Sequence, residues 1–119
     1  MPADGPLLVA EEDPDLRDLF SIGLLASGYS VAPVSREEPL QRIQEQKPSL
    51  LLLDLDEPAV DARKLAQTLR QRGIDVPVLV LSGADQADAA AREIGNAEVL
   101  KKPFGRDDLL HKVRQLRAA

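Results

Sequence analysis

The chain has no cysteine, no tryptophan and a single histidine, and aromatic residues make up only 3% of it. The absence of cysteine excludes disulfides and catalytic thiolates, and with one histidine the usual zinc sites are excluded as well. A bound metal would therefore be held by oxygen, which favours a hard cation such as Mg²⁺. The shortage of aromatic rings also disfavours a surface on which single-stranded nucleic acid stacks.

Positive charge is in deficit, with 15 Lys+Arg against 20 Asp+Glu and a formal net charge of −5. This balance argues against a basic face for DNA. No apolar run approaches the roughly 20 residues of a membrane span, and residues 1–6 lack the basic start and apolar core of a signal peptide. We therefore expect a cytoplasmic protein that contacts neither membrane nor nucleic acid directly. The 119 residues predict one domain over 7–119, preceded by a flexible tail over 1–6.

Short apolar runs alternate with helical patterns five times along the chain. The runs predict strands at 7–10, 29–34, 50–53 and 78–81, and a short strand through Val99 and Leu100. The four consecutive leucines of 50–53 indicate a strand that is buried on both faces of a parallel sheet. Strict alternation predicts an α/β fold in which helices cover both faces of that sheet.

The helical segments carry start and stop signals. The first is capped by Asp13 and ends at Gly28, and the second opens with the capping-box spacing of 35–38 and stops before Pro48. The third runs from about 61 to 72 and ends at Gly73, and the last begins near 107. The fourth has an alanine-rich stripe that ends at Gly95, formed by Ala87, Ala90, Ala91 and Ile94.

Polar side chains stand where the predicted strands end. In a doubly wound sheet, ligands bind beyond the carboxyl ends of the strands, so we expect these side chains to lie together. They are Glu11, Glu12 and Asp13 after the first strand, Asp54 and Asp56 after the third, Ser82 after the fourth and Lys102 after the fifth.

The acidic members of this set would repel one another unless a cation or protons neutralised them, which predicts a divalent-metal pocket. A hydroxyl from Ser82 and an ammonium from Lys102 are donors suited to the oxygens of a phosphoryl group. Each residue alone also has a structural interpretation, since Asp13 can be a helix cap, Ser82 a loop serine and Lys102 a solvated lysine. Together they predict phosphoryl transfer to an aspartate.

Four ordered segments resemble the receiver domain of two-component response regulators, over nearly the whole chain from Leu7 to Leu116. They are LLVAEEDP at 7–14, PSLLLLDLDEP at 48–58, PVLVLSG at 77–83 and GNAEVLKKPF at 95–104. The resemblance implies a flavodoxin-like (βα)5 fold with a five-stranded parallel sheet in the order 2-1-3-4-5. It also implies that 7–119 is a receiver domain.

By this resemblance Asp54 is the phosphoacceptor. Ser82 would bond the phosphoryl oxygen and act as a switch residue, and Lys102 would pair with the phosphoryl group. The peptide bond between Lys102 and Pro103 is expected to be cis, as in the family.

The resemblance also implies a site for Mg²⁺ or Mn²⁺, formed by Glu11, Glu12, Asp54 and the backbone carbonyl of Asp56. Two departures from the family pattern stand out. Glu11 and Glu12 occupy the positions where the family usually has aspartate, and each is one methylene longer. Val99 occupies the switch position where the family typically has an aromatic residue, so no ring is present to rotate inward.

The function that the resemblance implies is signalling rather than enzymatic turnover. A histidine kinase or a histidine phosphotransfer protein would donate a phosphoryl group to Asp54 in a phosphorelay, and the change would alter a partner-binding surface. The fourth helix, the last strand and the last helix form the expected contact surface, for a second copy or for an output domain.

Two alternatives remain open. Glu11, Glu12 and Val99 also suit a receiver-like interaction module that works without phosphorylation. The sequence from Leu50 to Asp56 further fits the Asp-x-Asp motif of haloacid-dehalogenase-type phosphatases, with Asp54 as nucleophile and Asp56 as general acid. That family, however, places this strand first and its further metal carboxylates late.

Two features near the C-terminus have plain structural interpretations. His111 is expected on the surface of the last helix rather than as a phosphodonor. A group of basic residues is expected to be a solvated face, namely Lys101, Arg106, Lys112, Arg114 and Arg117.

Overall fold

The computed structural model describes residues 6–10, 18, 22–33, 39–54, 62–83 and 87–118. Strands and helices alternate along these ranges as the sequence predicts. The strands are β1 (Leu7–Ala10), β2 (Val31–Pro33), β3 (Leu50–Asp54), β4 (Val78–Ser82) and β5 (Ala97–Lys101). The helices are α1 (described at 18 and over 22–26), α2 (Pro39–Gln46), α3 (Ala62–Gln71), α4 (Ala87–Ile94) and α5 (Arg106–Ala118).

The strands form one parallel sheet in the order β2-β1-β3-β4-β5. The α/β class and the parallel sheet are therefore confirmed. The central strand β3 and its neighbour β4 are buried along their whole length. Their continuous burial explains why 50–53 and 78–81 are apolar without alternation.

Two apolar layers cover the two faces of the sheet. One layer joins Ile43 of α2, Leu69 of α3 and Ile94 of α4 to every second residue of the strands, such as Leu51 and Val80. The other joins Leu24 of α1 and Val113 of α5 to the intervening residues, such as Leu50 and Leu52. Because successive side chains of a strand point to opposite faces, β1, β3, β4 and β5 each contribute to both layers.

Glycines end α3 and α4 as predicted. Gly73 and Gly95 both have φ of +75°, a left-handed conformation that costs little only for glycine. The amide of Ile74 donates to Leu69 O at 2.9 Å and closes the end of α3. The predicted stripe of α4 is confirmed, since Ala87, Ala90, Ala91 and Ile94 are all buried.

Strand β2 begins at Val31, two residues later than the predicted 29–34. The amide of Tyr29 donates to Leu24 O at 3.1 Å, so this residue completes the end of α1. The ladder with β1 begins at Val31, which is the partner of Leu7. The predicted starts of the first three helices, at Asp13, at 35–38 and at Asp61, lie outside the described residues.

The predicted flexible tail is only partly described. Residues 1–5 lie outside the described ranges, while the carbonyl of Pro6 accepts a hydrogen bond from the amide of Ser49 at 3.0 Å. Within the described ranges, no helix has the length and apolar character that crossing a membrane requires.

The basic residues near the C-terminus do not all form a solvated face. Arg117 is half-buried, its Nε donates to Ser49 Oγ at 3.0 Å, and its guanidinium carbon lies 4.8 Å from the centre of the Tyr29 ring. The prediction was wrong for this residue, because a long side chain at the end of α5 reaches Ser49, just before β3, and packs on an aromatic ring. His111 is exposed, as predicted.

Candidate functional site

Asp54, Ser82 and Lys102 stand at the carboxyl ends of three neighbouring strands. Asp54 is the last residue of β3 and Ser82 the last residue of β4, while Lys102 follows β5 directly. The Lys102 amide donates to Ser82 O at 3.0 Å, which continues the ladder between β4 and β5 by one residue. The sheet therefore brings these three predicted site residues to one edge.

An ion pair joins two of them. Lys102 Nζ lies 2.8 Å from Asp54 Oδ2, across a separation of 48 residues in sequence. The Asp54 side chain is 4% exposed and the Lys102 side chain is 29% exposed. A carboxylate this deeply buried needs a charge partner, because removing an ion from water is costly.

Strand alternation explains why these two side chains meet. Asp54 follows Leu50 and Leu52 on the face covered by α1 and α5, and Lys102 continues the alternation of Leu100 on that same face. The lysine can therefore reach across β4 to β3.

Ser82 is fully buried and follows Val78 and Val80 on the opposite face, which α2, α3 and α4 cover. By the same alternation it belongs to the side of the sheet on which α4 packs. The described chain continues from Ser82 only to Gly83, and α4 begins at Ala87. A change at Ser82 is therefore separated from α4 by four residues.

The peptide bond between Lys102 and Pro103 is cis, which confirms the prediction for Pro103. The next residue, Phe104, packs against the core layer beneath α5. Val99, at the predicted switch position, is half-buried and packs against the layer of α2, α3 and α4, opposite Val80. Val99 is thus an aliphatic residue at the margin of that layer.

The predicted metal ligands are described only in part. Glu11, Glu12 and Asp56 lie outside the described residues, and the described ranges contain no group of three or more side chains suited to a metal. The structure places Ala10, the last residue of β1, opposite Leu53, so β1 ends beside the acceptor strand. The Asp54 carboxylate is an oxygen donor of the kind that Mg²⁺ prefers, and the described part of the site fits such an ion in donor chemistry.

Comparisons with known proteins agree with this geometry. The family model described as "Response regulator receiver domain" matches residues 7–114. The response regulator MprA of Mycobacterium avium is 33% identical over 113 residues, covering 92% of this chain and 50% of the relative. The transcriptional regulatory protein PrrA of Mycobacterium tuberculosis is 34% identical, covering 92% of this chain and 48% of the relative.

A solved structure shows the same fold. The receiver domain of the Francisella response regulator 1452 has a TM-score of 0.84 and 25% sequence identity, covering 96% of this chain and 97% of that one. The chain spans about half the length of the curated relatives that it matches. With the family model matched over nearly all of its length, the chain belongs to the response regulator receiver domain family.

Proposed function

We propose that this chain accepts a phosphoryl group on Asp54 and passes the change to a partner-binding surface. The observation that carries the proposal is the 2.8 Å pair between the buried Asp54 carboxylate and Lys102 Nζ at the carboxyl edge of the sheet. A nucleophile, a cation and a hydroxyl at one edge are what transfer to a carboxylate requires, and Ser82 supplies the hydroxyl.

The proposed donor is a phosphohistidine on a histidine kinase or a histidine phosphotransfer protein, encountered in the cytoplasm. A carboxylate oxygen of Asp54 attacks phosphorus, the phosphorus–nitrogen bond breaks, and the imidazole nitrogen keeps the bonding electron pair. The product is an acyl phosphate. The Lys102 ammonium and the Ser82 hydroxyl stabilise the negative charge on the phosphoryl oxygens during the transfer.

Charge at the site supports a divalent cation as part of the proposal. Glu11, Glu12 and Asp54 would bring three carboxylates against the single charge of Lys102. We propose that these carboxylates and the Asp56 carbonyl hold Mg²⁺ or Mn²⁺. When bound, the ion would neutralise the carboxylates and draw charge from the transferring oxygens.

The output of the proposed switch runs through Ser82 toward α4. Phosphorylation adds negative charge beside the Ser82 hydroxyl, which then moves toward the phosphoryl oxygens and takes the following loop with it. Because Val99 is aliphatic, no aromatic ring takes part. The surface that responds is formed by α4, β5 and α5, and its proposed partners are a second copy or an output domain.

Intact mass after incubation with acetyl phosphate and Mg²⁺ tests the proposal. We expect a gain of about 80 Da, one phosphoryl group, in the unmodified chain. Asp54→Asn should abolish the gain. The matched control is Asp88→Asn, because that carboxylate is exposed on α4 and should leave the gain unchanged.

The competing function is an interaction module that works without phosphorylation, and Glu11, Glu12 and Val99 favour it. No gain in mass with either Mg²⁺ or Mn²⁺, together with no binding of beryllofluoride, would support that module and reject the phosphoacceptor. Catalytic turnover of p-nitrophenyl phosphate would instead support the phosphatase.

A further inference from the structure

The guanidinium of Arg70, in the last turn of α3, is bonded to the backbone of two separate turns. Nη1 donates to Ile74 O at 2.9 Å and Nη2 to Val76 O at 2.8 Å, both in the connection from α3 to β4. Nη2 also donates to Gly95 O at 2.8 Å and Nε to Ile94 O at 3.2 Å, where α4 ends. One side chain therefore joins the carboxyl ends of α3 and α4, at the amino ends of the strands and thus at the opposite end of the sheet from the candidate site.

The bond to Ile94 O satisfies a carbonyl that α4 leaves unpaired, and the other bonds go to carbonyls in the turns that follow α3 and α4. The last carbonyl groups of a helix lack intrahelical donors and carry partial negative charge, so a fixed cation at that end is favourable. Burial lowers the pKa of Arg70, and nearby Asp75 opposes this effect. Asp75 makes a second connection between the same two turns, because its Oδ1 accepts from Asn96 Nδ2 at 3.0 Å.

Among the described residues, the contacts that hold the amino half of α4 are weaker. Its buried side chains there are Ala87 and Ala90, whereas Ile94, the large buried side chain of the helix, lies at the clamped end. Lys101 Nζ lies 4.0 Å from Asp88 Oδ2, with side chains 57% and 60% exposed. An ion pair of this length and exposure contributes little. Small buried methyl groups also form fewer contacts than a buried isoleucine.

We infer that Arg70 is a positioning residue that clamps the carboxyl end of α4, so that α4 moves by pivoting its amino half about this end. The amino half is the part that follows Ser82 in the chain, with four residues between them. The pivot would turn a small displacement at the site into a tilt of the α4 surface. Its response to phosphorylation rests on the function proposed above, whereas the clamp is a property of the unmodified chain.

Amide hydrogen exchange resolved by NMR tests the clamp without any ligand. In an α-helix the Ala91 amide closes the first turn of α4 onto Ala87 O, and the Gly95 amide closes the last turn, bonding Ala91 O at 3.0 Å. After correction for intrinsic rates, Gly95 should exchange about tenfold or more slowly than Ala91. Equal protection of the two amides would overturn the inference.

Two variants make the test specific. Arg70→Gln should speed exchange at Gly95 by about tenfold or more, and Arg70→Lys, which keeps the charge without the planar fork, should have a smaller effect. Arg72→Gln is the control, because Arg72 is exposed two residues farther along and should leave Gly95 unchanged. If Arg70→Gln does not fold, the clamp is still tested by Arg70→Lys and by the difference in exchange rate between Ala91 and Gly95 in the unmodified chain. An unchanged Gly95 rate in a folded Arg70 variant would refute the clamp.

Beryllofluoride with Mg²⁺ then tests the pivot. Amide chemical shifts should change at 87–90 and stay constant at 94–96, and in the Arg70 variant the changes should spread to 94–96. Equal changes at both ends of α4 in the unmodified chain would overturn the pivot. If the amide chemical shifts of Asp54 and Lys102 themselves do not change, the proposed phosphoacceptor function fails. The hydrogen-exchange comparison without ligand still tests the clamp.

Discussion

Replacing Lys102 by methionine should show how much the chain depends on a charge partner for Asp54. The substitution keeps an unbranched side chain but removes the ammonium that lies 2.8 Å from Asp54 Oδ2. Breaking a fully buried ion pair costs about 3–5 kcal/mol, and an exposed pair about 0–1 kcal/mol. Because Asp54 is 4% exposed and Lys102 29% exposed, we expect a loss of about 1.5–3 kcal/mol in unfolding free energy at pH 7.

Urea unfolding measures this loss, and the neighbouring lysine provides the control. Lys101 lies 4.0 Å from Asp88 with both side chains exposed, so Lys101→Met should change stability by no more than about 0.5 kcal/mol. A double-mutant cycle isolates the pair. In the Asp54→Asn background no buried carboxylate is left uncompensated, so Lys102→Met should cost less than about 0.5 kcal/mol there.

Two comparisons decide whether the loss comes from the Asp54–Lys102 pair. Equal losses for Lys101→Met and Lys102→Met, or the same penalty for Lys102→Met in the Asp54→Asn background, would refute the reasoning.

Three further predictions use the same unfolding assay. Leu52→Ala removes a fully buried side chain and should lower the free energy of unfolding by about 3–4 kcal/mol. The control is Leu25→Ala, at a side chain that is 54% exposed, which should change it by no more than about 0.5 kcal/mol. Similar losses for the two variants would contradict the assigned core. Gly73→Ala forces a side chain to φ of +75° in open space and should cost about 1–2 kcal/mol, so a neutral result would exclude that conformation. Arg117→Met should lower the free energy of unfolding by about 1–2 kcal/mol, and by less when Tyr29 is already replaced by leucine. Strictly additive losses for the two substitutions would argue against the ring contact.

Much of the fold could be predicted because local and tertiary signals agree. The leucine run of 50–53 has to be buried on both faces, and the structure buries all of it within β3. The stripe of α4 follows the helical period and ends at Gly95, and both features are present. Segments of this kind leave few alternatives once right-handed crossovers are assumed.

The polar contacts could not be predicted, since they depend on positions in space rather than on the local pattern. The sequence shows Arg70 only as a basic residue at the end of a helix, whereas in the structure it bonds carbonyls 24 and 25 residues away. Arg117 reads as part of a solvated face, although its hydrogen-bond partner Ser49 is 68 residues away. A sequence pattern shows that a helix end favours a cation, but not which carbonyls the cation will reach.

The candidate site lies between these two cases. Its position follows from parallel strands that end at one edge, and its division between two faces follows from strand alternation. Asp54 and Lys102 belong to the face of α1 and α5, whereas Ser82 belongs to the face of α4. In the proposed function, a change in charge at Asp54 therefore has to be passed from one face of the sheet to the other, at the carboxyl ends of the strands, before it can affect α4. In that proposal Ser82 carries the change, because Val99 on the same face is a partly buried aliphatic residue that packs against the core.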